Sequence, residues 1–159
     1  MAGYGDDSGF TAYATAAGYT VPAGTIAAAR QRGSTYIDAV YGGRFTGTPT
    51  GGIDQERAWP RTGATAFGSA LATDLIPTRV INASYEAAYL ELVRPGSLTV
   101  TVDPSKRVKR QKVDTIEREF FDPGDASGSF SDAPVSSLIE GMLAPLIGLG
   151  VQEPAFLVV

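Results

Sequence analysis

Five of the thirteen basic residues, Lys106, Arg107, Lys109, Arg110 and Lys112, fall within seven positions. Cations at that density support three kinds of contact. They can neutralise DNA phosphates, dock an acidic protein surface and set its register, or guard an exposed strand edge against unwanted pairing. On a strand, Lys106, Arg110 and Lys112 share one face, and Arg107 and Lys109 take the other. No Tyr or Phe interleaves with the run, as a base-stacking platform would require. Just beyond it, Glu117 and Glu119 offer a carboxylate pair for general acid–base work. Alternating acids on an exposed strand are ordinarily a solvated face, and nothing nearby would tune them. The chain has no His and no Cys, which removes imidazole catalysis, thiol nucleophiles, disulfides and the usual zinc sites. Gly42-Gly43 and Gly51-Gly52 lack the Lys-Ser/Thr that completes a phosphate-binding loop. The expectation is a protein that is not an enzyme, with no cofactor and no metal.

Two other stretches carry unusual residue types. Trp59 is the one tryptophan, and it sits in Gln55-Glu56-Arg57-Ala58-Trp59-Pro60-Arg61. A large ring ahead of a proline fits an anchored extended turn, so Trp59, Pro60 and Arg61 read as a structural anchor. The alternative is an exposed aromatic hot spot. At the C-terminus, Phe156, Leu157, Val158 and Val159 form an apolar tetrapeptide that water does not favour. It either packs back on its own bundle or inserts into a partner.

These residues must be positioned by the rest of a 159-residue chain, long enough for one domain. The apolar share is 43% and the charged share 19%, which permits a real core. Nineteen Gly and ten Pro point to long connections around few elements. A formal net charge of −4 argues against a dedicated duplex binder. The N-terminal MAGYGDDSGF shows neither the basic nor the apolar region of a signal peptide, and no apolar run approaches the ~18 residues of a membrane span. A soluble, cytoplasmic chain with no membrane contact is the expectation.

Hydrophobic periodicity predicts a mainly α fold: a small bundle of about four helices, a β-hairpin between the central and last helices, and an extended C-terminal arm. GFTAYATAAGY reads as a short helix ending at Gly18, with Ser8 as N-cap. Gly24 to Tyr41 reads as a longer one, with Ile26, Ala29, Gly33, Ile37 and Val40 on one face, Tyr36 and Tyr41 widening it, and Arg30 and Arg32 off it. Arg44 to Leu75 reads as a long ordered loop, with Phe67 and Leu71 marking a half-turn of helix. Ile76 to Arg94 is the central helix, with Pro77 in its first turn and Pro95-Gly96 as its stop. Its apolar arc leaves only Arg79, Asn82 and Glu86 at the wet edge. Leu98, Val100 and Val102 alternate with Ser97, Thr99 and Thr101, predicting a strand that turns at Asp103-Pro104-Ser105 and pairs with Lys106–Phe121. Pro134 to Leu146 is the last helix, capped by Asp132, with Val135, Leu138, Ile139, Met142 and Leu143 inward. The division is a bundle over 1–146, with its hairpin at 97–121, and an arm over 147–159.

The segments AARQRGSTYIDAVYGGRF, QERAWPRTG, IPTRVINASYEAAY, VKRQKVDTIEREFF and SSLIEGMLAPL, in that order, resemble the head–tail connector (adaptor) proteins of long-tailed phages. Some members of that family carry the label DnaT-like single-stranded-DNA-binding protein. The resemblance runs from about Phe10 to Leu146 and excludes the loop Gly42–Gly52 and the tail beyond Gly148. It implies a structural virion protein in the neck, made in the host cytoplasm. Copies would form a ring, commonly dodecameric, with the portal protein on one side and a tail-completion or tail terminator protein on the other. Genomic double-stranded DNA would pass through without sequence-specific contact. Phe156–Val159 would then be the portal-docking residues, and Lys106, Arg107, Lys109, Arg110 and Lys112 the protein or DNA contacts. The alternative function is a single-stranded-DNA-binding module.

Overall fold

A computed structural model describes residues 3–99, 110–113, 116–119 and 136–148, with the stretches 110–113 and 116–119 described for their backbone alone. Four helices dominate: α1 (Asp7–Ala16), α2 (Ile26–Tyr41), α3 (Thr78–Val93) and α4 (Ser137–Leu143). A 3-10 turn, Ala144–Leu146, extends α4. The fold is mostly helical, with small two-stranded sheets.

Helix α3 is the centre of the bundle and packs against α1, α2 and α4. Its principal neighbour is α2, and the two backbones approach closely at Gly33. A Cβ there would lie 2.6 Å from the Ser84 carbonyl oxygen and 2.7 Å from the Ala88 nitrogen. Buried Ala83, Ala87 and Ala88 keep α3 slim. One core cluster joins Ile37 and Tyr41 of α2, Val80 and Ala83 of α3, and Ile139, Leu143 and Leu146 of the last helical segment. A smaller cluster places Phe10 of α1 edge-on to Tyr85, with Ala29 and Ala88 beneath.

Several boundaries differ from the sequence reading. Asp6, not Ser8, caps α1: its carboxylate accepts from the Gly9 N–H at 2.7 Å and from the Ser8 hydroxyl. Pro77 is the cap of α3 rather than its first-turn residue. Glu86 is not at a wet edge but buried, because the N-terminal segment covers that face of α3. Its carboxylate accepts from the Tyr13 hydroxyl at 3.0 Å and the Tyr19 hydroxyl at 3.2 Å. Arg79 is exposed and Asn82 half-buried. Arg30 is buried too, paired with Asp7 and donating to the Tyr4 and Gly5 carbonyls. Leu138, expected inward, is exposed, while Ile139 and Leu143 carry the contact. Ser136 caps α4; Asp132 and Val135 lie outside the described residues.

The long connection between α2 and α3 is more ordered than a loop. Strand β1 (Thr48–Pro49) pairs with β2 (Arg61–Thr62), and β3 (Thr65–Ala66) pairs with β4 (Ser69–Ala70). Phe67 therefore sits at a hairpin tip, not in a half-turn of helix, and Leu71 is half-buried against the main core. After α3 the chain stays in tight turns: Ser97 N–H donates to the Arg94 carbonyl, Thr99 N–H to that of Gly96, and Leu98 packs on the core. The expected strand over 97–102 is thus replaced by turns through Leu98. Val100 to Lys109 lie outside the described residues. Within the expected second strand, β5 (Arg110–Val113) pairs with β6 (Ile116–Glu119) as a hairpin of its own.

Candidate nucleic-acid interface

The β5–β6 ladder pairs Arg110 with Glu119, Gln111 with Arg118, Lys112 with Glu117 and Val113 with Ile116. Two of the five clustered cations therefore stand directly across from carboxylate residues, an arrangement that favours hairpin formation. Lys106, Arg107 and Lys109 lie outside the described residues. All three lysines of the chain belong to this run.

The arginines of the bundle are differently employed. Arg32 pairs with Glu91 at 2.7 Å, Arg44 with Glu140 at 3.1 Å and Arg57 with Asp38 at 3.1 Å, while Arg30 holds Asp7. Arg61 is buried without a carboxylate. Its Nε donates to the Thr46 carbonyl at 2.8 Å, and its terminal nitrogens donate to the carbonyls of Gly47, Ala58 and Phe45 at 2.6, 3.1 and 3.3 Å. Burial lowers its pKa from the usual guanidinium value. Trp59 is 1% exposed and meets Phe45 edge-on at 5.5 Å. The Pro60 carbonyl accepts from Thr50 N–H and from Gln55 Nε2. Trp59, Pro60 and Arg61 thus lie together at the seat of the 44–75 segment, with Trp59 and Arg61 buried and Pro60 half-buried.

The Tyr4 hydroxyl ties the same seat to α2. It donates to Asp38 and accepts from the Trp59 N–H at 3.2 Å. Burial first, and the Asp38 contact second, push its pKa far above the ordinary tyrosine value. No group of three or more potential metal ligands occurs among the described residues. No described helix is long and apolar enough to cross a membrane.

Arg79 and Arg94, both exposed, are the bundle arginines left without a carboxylate or a buried carbonyl cage among the described residues; Arg79 is the one set against an aromatic ring. Its guanidinium carbon lies 5.5 Å from the Phe67 ring centroid, and one nitrogen reaches the Met142 carbonyl at 3.5 Å. Phe67 is 77% exposed. Sequence periodicity missed this pair because the two-residue hairpin turn was read as helix. Gly68, a residue that readily takes the positive φ of a two-residue hairpin turn, was the available signal.

The match to a family model now bears on this arrangement. It covers residues 4–158 and is described as "Putative DnaT-like ssDNA binding protein". The chain belongs to that family. No curated protein and no solved structure matches it. Of the two descriptions tied to the sequence resemblance, the match supplies the DNA-binding one and nothing for the head–tail connector. The C-terminal residues Phe156–Val159 lie outside the described residues. The last described backbone contacts before them are an antiparallel bridge between Phe45 and Ile147 and a hydrogen bond from Gly148 N–H to the Arg44 carbonyl at 3.0 Å.

Proposed function

We propose that this protein is a non-catalytic single-stranded-DNA-binding module whose phosphate contacts come from the basic segment Lys106–Lys112. The observation that carries the reading is the division of cations. Most bundle arginines are engaged by carboxylates or buried carbonyls, whereas Lys106–Lys112 holds five of the thirteen basic residues, all three lysines included, and is the densest cationic stretch of the sequence. The family description supports the same ligand. Glu119 opposite Arg110 and Glu117 opposite Lys112 offset part of that charge. About three effective phosphate contacts remain, with a log–log salt slope of about −2 for single strands. Oligo(dT) binding measured across a salt series tests this. Neutralising Lys106, Arg107, Lys109 and Arg110 together should flatten the slope and weaken binding at low salt. Unchanged affinity and slope in that variant would remove the assignment.

A second reading, the ring-forming head–tail adaptor, draws support from the order of the five sequence segments and from apolar residues held in water. Ile53 is 98% exposed, and Val93 and Leu138 are about half exposed, as suits surfaces covered by further copies. On this reading the bundle spans 1–146 and an arm over 147–159 docks the portal through Phe156–Val159. The protein then sits in the virion neck, lining the passage of double-stranded DNA. Mass measurement with and without the portal protein decides it: a defined ring that is lost on deleting Phe156–Val159 supports the adaptor, and a monomer in both samples rejects it.

A further inference from the structure

The basic run lacks the aromatic that strand-tolerant binding of single-stranded DNA uses to stack bases. The bundle supplies one elsewhere. We propose that Phe67, with Arg79 against its ring, is a base-stacking platform for single-stranded DNA. The inference rests on the DNA-binding reading above and names a site within it.

Three observations carry it. Phe67 and Gly68 form the two-residue link of the β3–β4 hairpin, and both have positive φ, 50° and 79°. Such turns favour Asn or Gly at their first position, and a bulky residue there is held in a strained conformation. Folding alone would therefore be served better by another residue than by Phe67. Second, the strained position holds the ring 77% exposed, so most of its surface is open to a ligand. Third, Arg79 stands against that ring at 5.5 Å with no carboxylate partner among the described residues. An open aromatic beside a guanidinium that has no carboxylate partner among the described residues matches a nucleotide on both counts, a base to stack and a phosphate to attract. A purely apolar partner would itself offer the Arg79 charge no counterpart.

The test uses the full-length chain and two ligands of equal length, oligo(dT) and the same backbone with abasic sites. Phe67→Asn is the central variant, because Asn suits the turn and protects folding. The wild type should bind oligo(dT) about tenfold more tightly than the abasic strand, the low-to-middle range of one stacking contact. Phe67→Asn should abolish that preference, and Phe67→Trp should retain it while its added fluorescence is quenched by oligo(dT). Arg79→Gln should lower the salt slope by about 0.7, the share of one phosphate contact. If the wild type binds and depends on Lys106–Arg110, but Phe67→Asn keeps the base preference, the platform is wrong and the DNA-binding reading stands. If the wild type binds neither strand, both fall. If Phe67→Asn changes only the oligomeric mass, the ring belongs to a contact between copies and the platform is overturned.

Discussion

The α2–α3 crossing and the 44–75 segment are both well ordered, yet they are held by opposite means. The crossing is held by the absence of side chains: Gly33 lets the Ser84–Ala88 backbone approach, and alanines keep α3 thin. The 44–75 segment has little regular structure of its own, and its order depends on one large ring and one buried cation. Trp59 fills the seat, and the Arg61 guanidinium collects carbonyls from Phe45, Thr46, Gly47 and Ala58 that two-residue strands cannot satisfy. Buried carbonyls need donors, and a guanidinium offers five from a single residue. Apolar packing is spread over many residues and tolerates small losses, whereas a polar hub concentrates the loss in one side chain.

The sharpest way to break that contrast is Arg61→Met. It keeps the apolar stem and leaves four carbonyls short of a donor, which should destabilise the protein by about 3–5 kcal/mol. Hydrogen exchange should show protection lost first across residues 44–66, with α2 and α3 persisting longer. Uniform loss across all helices would mean the hub is not local. Next comes Gly33→Ala. The added methyl meets backbone atoms that cannot rotate away, so about 1–3 kcal/mol is expected from forced separation of the helices. Gly43→Ala, where a Cβ meets nothing within 4 Å, should change little in the same denaturation series. A loss at Gly43 as large as at Gly33 would point to a general glycine effect rather than the crossing.

The same contrast explains what sequence reasoning could see. Helices α2 and α3 follow from the spacing of Ala29, Gly33, Ile37 and of Val80, Ala83, Ala87, because burial on one side imposes a period. The order of segments likewise pointed to the family, but through its head–tail connector reading, whereas the family match carries the DNA-binding description that stood as the alternative. The burial of Glu86 and Arg30 was hidden, since both are satisfied by residues distant in sequence: Tyr13 and Tyr19 for one, Asp7 and the Gly5 carbonyl for the other. Alternation over 97–102 suggested a strand, but Leu98 is drawn onto the core and the Gly96 N–H donates to Glu91 at 3.0 Å. Tertiary contact there outweighed local pattern. The Phe67–Arg79 pair was illegible for the same reason, being an encounter between a turn and a helix 12 residues apart.

A third prediction concerns pH. Burial raises the pKa of Tyr4, Tyr13 and Tyr41, so the folded state keeps protons that the unfolded chain releases near pH 10. Their stabilising effect is whole below that pH and lost above it. Each contributes a fall of up to about 1.4 kcal/mol per pH unit. Phe at position 4 removes one titrating group, so Tyr4→Phe should reduce the steepness of alkaline unfolding while lowering stability at neutral pH, where the Asp38 and Trp59 contacts are lost. An unchanged slope would show that Tyr4 ionises freely in the folded protein.

The smallest effect tests the edge of the helical region. Asp6 lies at the surface, and its carboxylate is held below the usual range first by the Ser8 hydroxyl and then by the Gly9 N–H. A depressed folded pKa stabilises the protein above the unfolded value, and that contribution disappears as pH falls through the folded one. Asp6→Ala should therefore lower the melting temperature slightly at pH 7, with the difference from wild type closing in acid. Asp6→Asn keeps a capping oxygen without the charge, so it should fall between the two at pH 7 and show no such closing of its own. If the Asp6→Ala deficit is as large in acid as at neutrality, the cap acts through its shape alone, and α1 is held by Phe10 against Tyr85 rather than by its first turn.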